Sequence, residues 1–203
     1  MAKLYFRYGA MNSGKSTALM QVAFNYEERG MRVLVLKPSV DTKGGEMLVS
    51  RLGVSRPVDV AVAPEMDVLA LVTENNEQGP APLACVLTDE SQFFTPAQAE
   101  QLFMVTVELN IPVIAYGLRT DFSTKGFPGS TRLLELAHAI EEMKTICTCG
   151  RKATCNGRKV NGEFVFEGEQ VAIDQKNNVE YQSLCAQCYF KAKKEFYQKH
   201  PRL

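Results

Sequence analysis

Residues 9–16, Gly-Ala-Met-Asn-Ser-Gly-Lys-Ser, constrain this chain more than any other segment. The pattern is a phosphate-binding loop, and it works only between a strand and a helix. Lys3 to Tyr8 reads as that strand, and Thr17 to Ala23 as that helix. Gly9 and Gly14 permit a tight loop in which the backbone N–H groups of Gly9, Ala10, Met11, Asn12, Ser13 and Gly14 point inward at phosphate. The helix N-terminus adds partial positive charge there. Lys15 can reach the β- and γ-phosphates, and the Ser16 hydroxyl can ligate Mg²⁺. A glycine-rich turn could match by chance, but all four fixed positions stand here in the right context. The chain is expected to handle a nucleoside triphosphate.

Residues 1 to about 145 alternate strand and helix signals. Arg32–Leu36, Ala84–Leu87 and Pro112–Tyr116 are short, nearly continuous apolar runs, as expected of strands buried on both faces of a parallel sheet. Pro96 to Leu109 reads as a helix with Thr95 as N-cap, and Ser130 to Met143 as another, with an apolar stripe of Leu133, Leu134, Leu136, Ala137 and Ile140. Ser39 to Pro64 lacks periodicity and reads as a loop near the phosphates; Asn75 to Pro82 reads as a polar turn. The expected fold class is α/β, a P-loop NTPase-type parallel sheet flanked by helices, with a small C-terminal zinc-binding lobe. The domains are expected at 1–145 (nucleotide binding) and 146–203 (zinc lobe and C-terminal helix).

After Ile146, Gly, Asn and charged residues separate short alternating runs such as Glu163–Phe166, hairpins too short to stabilise themselves. Cys147 and Cys149 open this region, and Cys185 and Cys188 stand near its end. Two thiolate pairs would make a closed, structural tetrahedral zinc site for a lobe with little core of its own. Buried thiols are the plainer alternative, and Cys155 is a possible competitor for the metal. Cys85 lies in an apolar run and reads as core; His138, placed on a helix, and His200 read as ordinary satisfied or solvated histidines.

Lys+Arg and Asp+Glu balance at 23 each, which supplies no general attraction for nucleic acid or anionic membrane. No apolar run approaches the roughly 18 residues of a membrane span. The first strand follows the N-terminus directly and leaves no room for a signal peptide, so a cytoplasmic location is expected.

The run Cys85-Val86-Leu87 continues into Thr88-Asp89-Glu90-Ser91-Gln92-Phe93. A buried strand ending in an acidic pair, in a P-loop chain, is the arrangement in which Asp89 would hold Mg²⁺. Glu90 would stand at the strand tip, where a base could take a proton from an attacking hydroxyl. That hydroxyl could be water, giving an ATPase or GTPase, or a substrate alcohol, giving a kinase. Phe93 and Phe94 read as core aromatics. Beyond Pro112–Tyr116, Phe122 and Phe127 lie on a loop, where they either close over a flat ring or tuck beneath the next helix.

Taken together, Gly9–Ser16 with Met11 inside it, Asp89–Phe93, the run Tyr116-Gly-Leu-Arg-Thr-Asp-Phe122 and the four-cysteine terminal lobe resemble the type II thymidine kinases, over nearly the whole chain. The close pair Cys147-x-Cys149 followed by Gly-Arg-Lys-Ala resembles the enterobacterial-type branch. The resemblance implies transfer of the ATP γ-phosphate to the 5′-hydroxyl of thymidine, with deoxyuridine as a further acceptor, in nucleotide salvage. It implies ATP with Mg²⁺, a structural Zn²⁺ held by Cys147, Cys149, Cys185 and Cys188, a homotetramer, and feedback by dTTP. Asp89 and Gln92 would join the phosphate loop on the donor side, and Glu90 would be the base. Met11, Leu118, Phe122, Phe127, Arg158 and Tyr181 would contact the acceptor. Hydrolysis by water, or a nucleotide-regulated zinc-ribbon binding module, are the competing readings.

Two positions depart from the family pattern. Lysine stands at 43 where an arginine is common, losing a planar fork for phosphate; Arg158 is then the expected cationic helper. The segment Ile173–Glu180 carries no glycine pair before Tyr181, so Asn177-Asn178 would have to make the left-handed turn.

Overall fold

The computed structural model describes residues 1–41, 47–170 and 178–201. Lys43 and Ile173–Asn177 lie outside the described residues. The chain divides into two compact units. The first comprises Met1–Tyr8, Gly14–Leu118 and Phe127–Glu142; the second comprises Gly9–Ser13, Arg119–Gly126 and Met143–Leu203.

The first unit runs β1 (Leu4–Tyr8), α1 (Lys15–Glu27), β2 (Arg32–Pro38), β3 (Met47–Val49), β4 (Ser55–Pro57), β5 (Val60–Val62), α2 (Val68–Gln78), β6 (Leu83–Thr88), a 3-10 turn (Ser91–Phe93), α3 (Pro96–Glu108), β7 (Val113–Gly117), α4 (Pro128–Leu136) and β8 (Ala139–Glu142). Six strands form one sheet in the order β5-β2-β6-β7-β1-β8. Every pairing in it is parallel, as the apolar runs require. One face carries the core of Leu4, Phe6, Leu34, Leu36, Val86, Val113 and Ala115 against Val68 and Val72 of α2, Ala99, Leu102 and Val105 of α3, and Leu133 of α4. Leu19 and Ala23 of α1 are fully buried. Thr95 caps α3 in a reciprocal capping box with Gln98, as the sequence predicts. Cys85 is fully buried, and burial pushes its thiol up to about 12; it is a core residue.

Three expectations need correction. The helix expected through Met143 stops at Leu136. His138 N donates to Leu4 O and His138 Nδ1 accepts from Leu4 N, both at 2.9 Å, and the chain continues as β8 beside β1. Without β8, the outer edge of β1 would leave backbone groups unpaired, and that demand outweighs the helical stripe. Ile140, read as part of that stripe, is 49 % exposed. The stretch read as a loop holds the β3–β4 hairpin and β5, three-residue strands too short for any periodic signal. Finally, α2 continues through Gln78, so the expected polar turn begins later; its side chains feed the backbone, with Asn75 Nδ2 donating to Leu71 O and Asn76 Oδ1 accepting from Leu83 N.

The second unit is built on β9 (Thr145–Ile146), β10 (Lys152–Ala153), β11 (Cys155–Val160), β12 (Glu163–Val165), β13 (Val179–Leu184) and α5 (Ala186–Lys199). β12, β11 and β13 form an antiparallel sheet, with β9 and β10 as a separate ribbon. Asn161 and Gly162, both with positive φ, make the tight β11–β12 turn. A small core of Ala153, Cys155, Phe166, Leu184 and Tyr189 is completed by ring contacts of Phe166 with Tyr189 (5.2 Å) and Phe196 (5.7 Å).

Candidate active site

In the first unit, the strand leading into the phosphate loop and the strand ending in the acidic pair are separated by β7 alone. Because the strands are parallel and in register, with Tyr8 opposite Gly117 and Thr88 opposite Ala115, their C-terminal tips share one edge. Gly14, at φ 79°, turns the chain into α1 as its N-cap. Lys15 is only 7 % exposed at the helix start. Ser16 Oγ donates to Asp89 Oδ2 at 2.7 Å, joining two residues 73 positions apart. Asp89 is buried, and its Oδ1 has no hydrogen-bond partner among the described residues. Burial and the adjacent Glu90 charge push its carboxyl up to about 7, against the pull of the Ser16 hydroxyl. A buried carboxylate oxygen with nothing to accept, beside a hydroxyl, fits a site for a hydrated divalent cation.

Glu90 adopts the left-handed conformation at φ 47°, a strained choice for a glutamate, at the head of the 3-10 turn. Its Oε2 accepts from Gln92 Nε2 at 2.5 Å, and Gln92 Oε1 accepts from Leu118 N at 2.9 Å. Gln92, read on the donor side from sequence, is thus a buried link between the acid and the end of β7. A Cβ on Gly117 would stand 2.9 Å from Gln92 Oε1, so glycine is what admits this link. Thr88 Oγ1 and Ser91 Oγ pair at 2.6 Å, and Ser130 Oγ donates to Leu118 O at 2.5 Å. Leu118 and Phe127 are 7 % and 5 % exposed, and the Phe127 ring meets Phe93 edge-on at 5.6 Å.

The second unit holds the front half of the phosphate loop. Met11 N donates to Asn156 Oδ1 at 2.8 Å, and Met11 O accepts from the Ser183 hydroxyl. The Met11 N–H is therefore engaged by a side chain. Asn12, at φ 63°, accepts from Thr145 Oγ1 through its carbonyl. Phe122 is nearly fully buried: the Arg158 guanidinium lies 3.5 Å over its ring, and Tyr189 OH donates to its carbonyl at 2.7 Å. Arg158 is itself buried and donates to Glu169 O (2.9 Å) and Glu167 O (2.8 Å), so two of its donors hold backbone. Tyr181 is half-buried on β13, opposite Arg158. Asn156, Ser183 and Tyr189 carried no signal in sequence as site residues, because their partners are backbone groups far along the chain.

The four cysteines converge. The sulfurs of Cys147, Cys149, Cys185 and Cys188 lie within 4.8 Å of one another, with Cys149 and Cys185 at 3.6 Å. Thiolates around one Zn²⁺ at ~2.3 Å stand about 3.8 Å apart, so the set fits a closed tetrahedral site. Burial opposes ionisation of Cys147, yet hydrogen bonds from the backbone of Cys149 and Cys185 bring it down to about 6. Cys185 is the N-cap of α5 and accepts from Cys188 N, placing its sulfur at the positive end of a helix. Cys155 is not part of this cluster among the described residues.

The family profile described as Thymidine kinase matches residues 2–189. The thymidine kinase of Ruegeria pomeroyi is 46% identical over 187 residues, covering 91% of this chain and 92% of that one. That of Rhodopirellula baltica is 48% identical (91% and 86% covered), and that of Chromobacterium violaceum 47% identical (93% and 98% covered). Among solved structures, one ATPase domain has a TM-score of 0.45 at 12% identity, covering 92% of this chain and 82% of that one. On the breadth of the sequence match, with the phosphate loop, the acidic turn and the four-cysteine cluster all inside it, this chain belongs to the thymidine kinase family, in its type II bacterial form.

Proposed function

We propose that the protein transfers the γ-phosphoryl group of ATP to the 5′-hydroxyl of thymidine, giving dTMP and ADP. The observation that carries this reading is the Glu90 carboxylate, held through Gln92 to the Leu118 N–H at the sheet edge that ends β6 and β7. A carboxylate fixed at one oxygen keeps the other for a proton, which is what deprotonation of a primary alcohol needs.

The phosphate loop Gly9–Ser16 and the α1 N-terminus bind the triphosphate, and Lys15 neutralises charge on the phosphates. Ser16 and Asp89 would hold Mg²⁺, which would supply positive charge to offset that of the phosphates. Glu90 takes the 5′-hydroxyl proton as the oxygen attacks in line. Met11, Leu118, Phe122, Phe127 and Tyr181 are proposed to contact the thymine and sugar. Arg158, with its guanidinium on the Phe122 ring and two backbone carbonyls, is proposed to serve the nucleoside by fixing that ring. Structural Zn²⁺ on the four cysteines, a homotetrameric assembly, dTTP feedback and a cytoplasmic setting complete the reading by family likeness. Among the described residues no helix is long and apolar enough to cross a membrane.

The test is a panel: purified protein with Mg-ATP and thymidine, deoxyuridine, deoxycytidine or deoxyguanosine. Thymidine should give the monophosphate, with deoxyuridine second. ATP consumption with no nucleoside monophosphate would favour hydrolysis by water and sink the kinase reading.

A further inference from the structure

We propose that Asn156 is a positioning residue that couples the phosphate loop to the Phe122 loop, so that nucleotide bound at the first is felt by nucleoside at the second. The proposal rests on the kinase reading above and adds a coupling device to it. Asn156 is 3 % exposed on β11. Its Oδ1 accepts from Met11 N at 2.8 Å and its Nδ2 donates to Thr120 O at 3.0 Å. One planar amide thus spans the two loops, with a donor and an acceptor in rigid relation.

Each end of the link is stiff. On the phosphate side, Ser183, opposite Asn156 in the β11–β13 register, donates to Met11 O, so both hydrogen-bonding groups of Met11 are held. On the other side, Thr120 bridges to Gly126. Asp121 Oδ1 accepts from Ser123 N (2.8 Å) and Lys125 N (2.9 Å), and Tyr189 OH anchors Phe122 O. A displacement of Met11 when phosphate enters the loop therefore moves the amide, and the amide moves Thr120 and the residues tied to it. Because the amide is buried, water cannot stand in for either bond when it is lost. The Ser183 hydroxyl bonds Met11 and not the Phe122 loop, so it stiffens the phosphate side without joining the two.

Thymidine affinity of the full protein would be measured by calorimetric titration, with and without a Mg-bound non-hydrolysable ATP analogue. The wild type should show a ratio of about fivefold or more between the two conditions, within the usual range of coupling between sites. Asn156→Leu removes both bonds, and Asn156→Thr keeps at most one with little change in bulk. Each should bring the ratio to within about twofold of one while thymidine and analogue still bind separately. A purely structural Asn156 would lower the melting temperature and leave the ratio intact; that result, or a wild-type ratio of one, overturns the proposal. Should the wild type bind the analogue but no thymidine at all, the kinase reading fails instead.

Discussion

Gly129 provides a sharp perturbation of the acidic turn. It is the second residue of α4, and a Cβ there would stand 2.3 Å from Phe94 O, 3.0 Å from Gln92 O and 3.1 Å from Ser91 O. Ordinary contact begins near 3.4 Å, and all three neighbours are backbone, so none can swing aside. In Gly129→Ala, the helix and the turn must therefore part by about 1 Å. At an unhindered helical site the same change stabilises by ~0.5–1 kcal/mol, because alanine has less freedom to lose. Here overpacking should reverse the sign and cost about 1–3 kcal/mol. The turn carries Glu90 and Gln92, and a shift of ~1 Å at a reacting group costs on the order of 10²-fold in rate. Urea unfolding would report the lost stability. Steady-state kinetics should show a fall in kcat with the KM for ATP little changed, since the phosphate loop lies elsewhere in the chain. A variant as stable and as fast as wild type would refute the close packing of α4 on the acidic turn.

Glu90→Gln keeps the shape and removes the base, so turnover should fall by roughly 10²–10⁴ while ATP still binds; near-normal turnover would take Glu90 out of that role. Cys185→Ser should release the metal and loosen the second unit, read by metal content and by near-ultraviolet circular dichroism; zinc retained at one equivalent per chain would count against the four-thiolate set. Without nucleotide or Mg²⁺, the Asp89 carboxyl stands at about 7 in the folded protein against 3.8 for the ordinary group. A raised value means the native state holds a proton that the unfolded chain releases. This contribution to stability is complete below about 4 and is lost as pH rises through 7. Urea midpoints across that window should fall more steeply in wild type than in Asp89→Asn, and parallel profiles would contradict the assignment.

The middle of the sheet and the phosphate loop were legible because β2, β6 and β7 are nearly continuous apolar runs and the loop is a fixed pattern in its required context. The acidic turn was legible for the same reason: Asp89 and Glu90 follow directly on buried Leu87 and Thr88. The four cysteines were legible from spacing and from the weakness of the core around them. What escaped was set by partners remote in sequence. β8 forms because the outer edge of β1 needs pairing, a demand invisible in residues 139–142 themselves. β3, β4 and β5 are too short to show a period. The engagement of Met11 N–H by Asn156 spans 145 positions, and no local pattern announces it. Arg158 was expected as a cationic helper; the ring and the two backbone carbonyls it meets are partners that no local pattern announces.

The site's central step is transfer of the ATP γ-phosphoryl group to a nucleoside hydroxyl, with Glu90 taking the hydroxyl proton. It is tested most directly in a single turnover, with enzyme in excess over γ-labelled Mg-ATP and thymidine present at saturation. The label should appear on the 5′-oxygen of dTMP, in equal amount to the ADP formed. Label released as inorganic phosphate, with thymidine unchanged, would contradict the account.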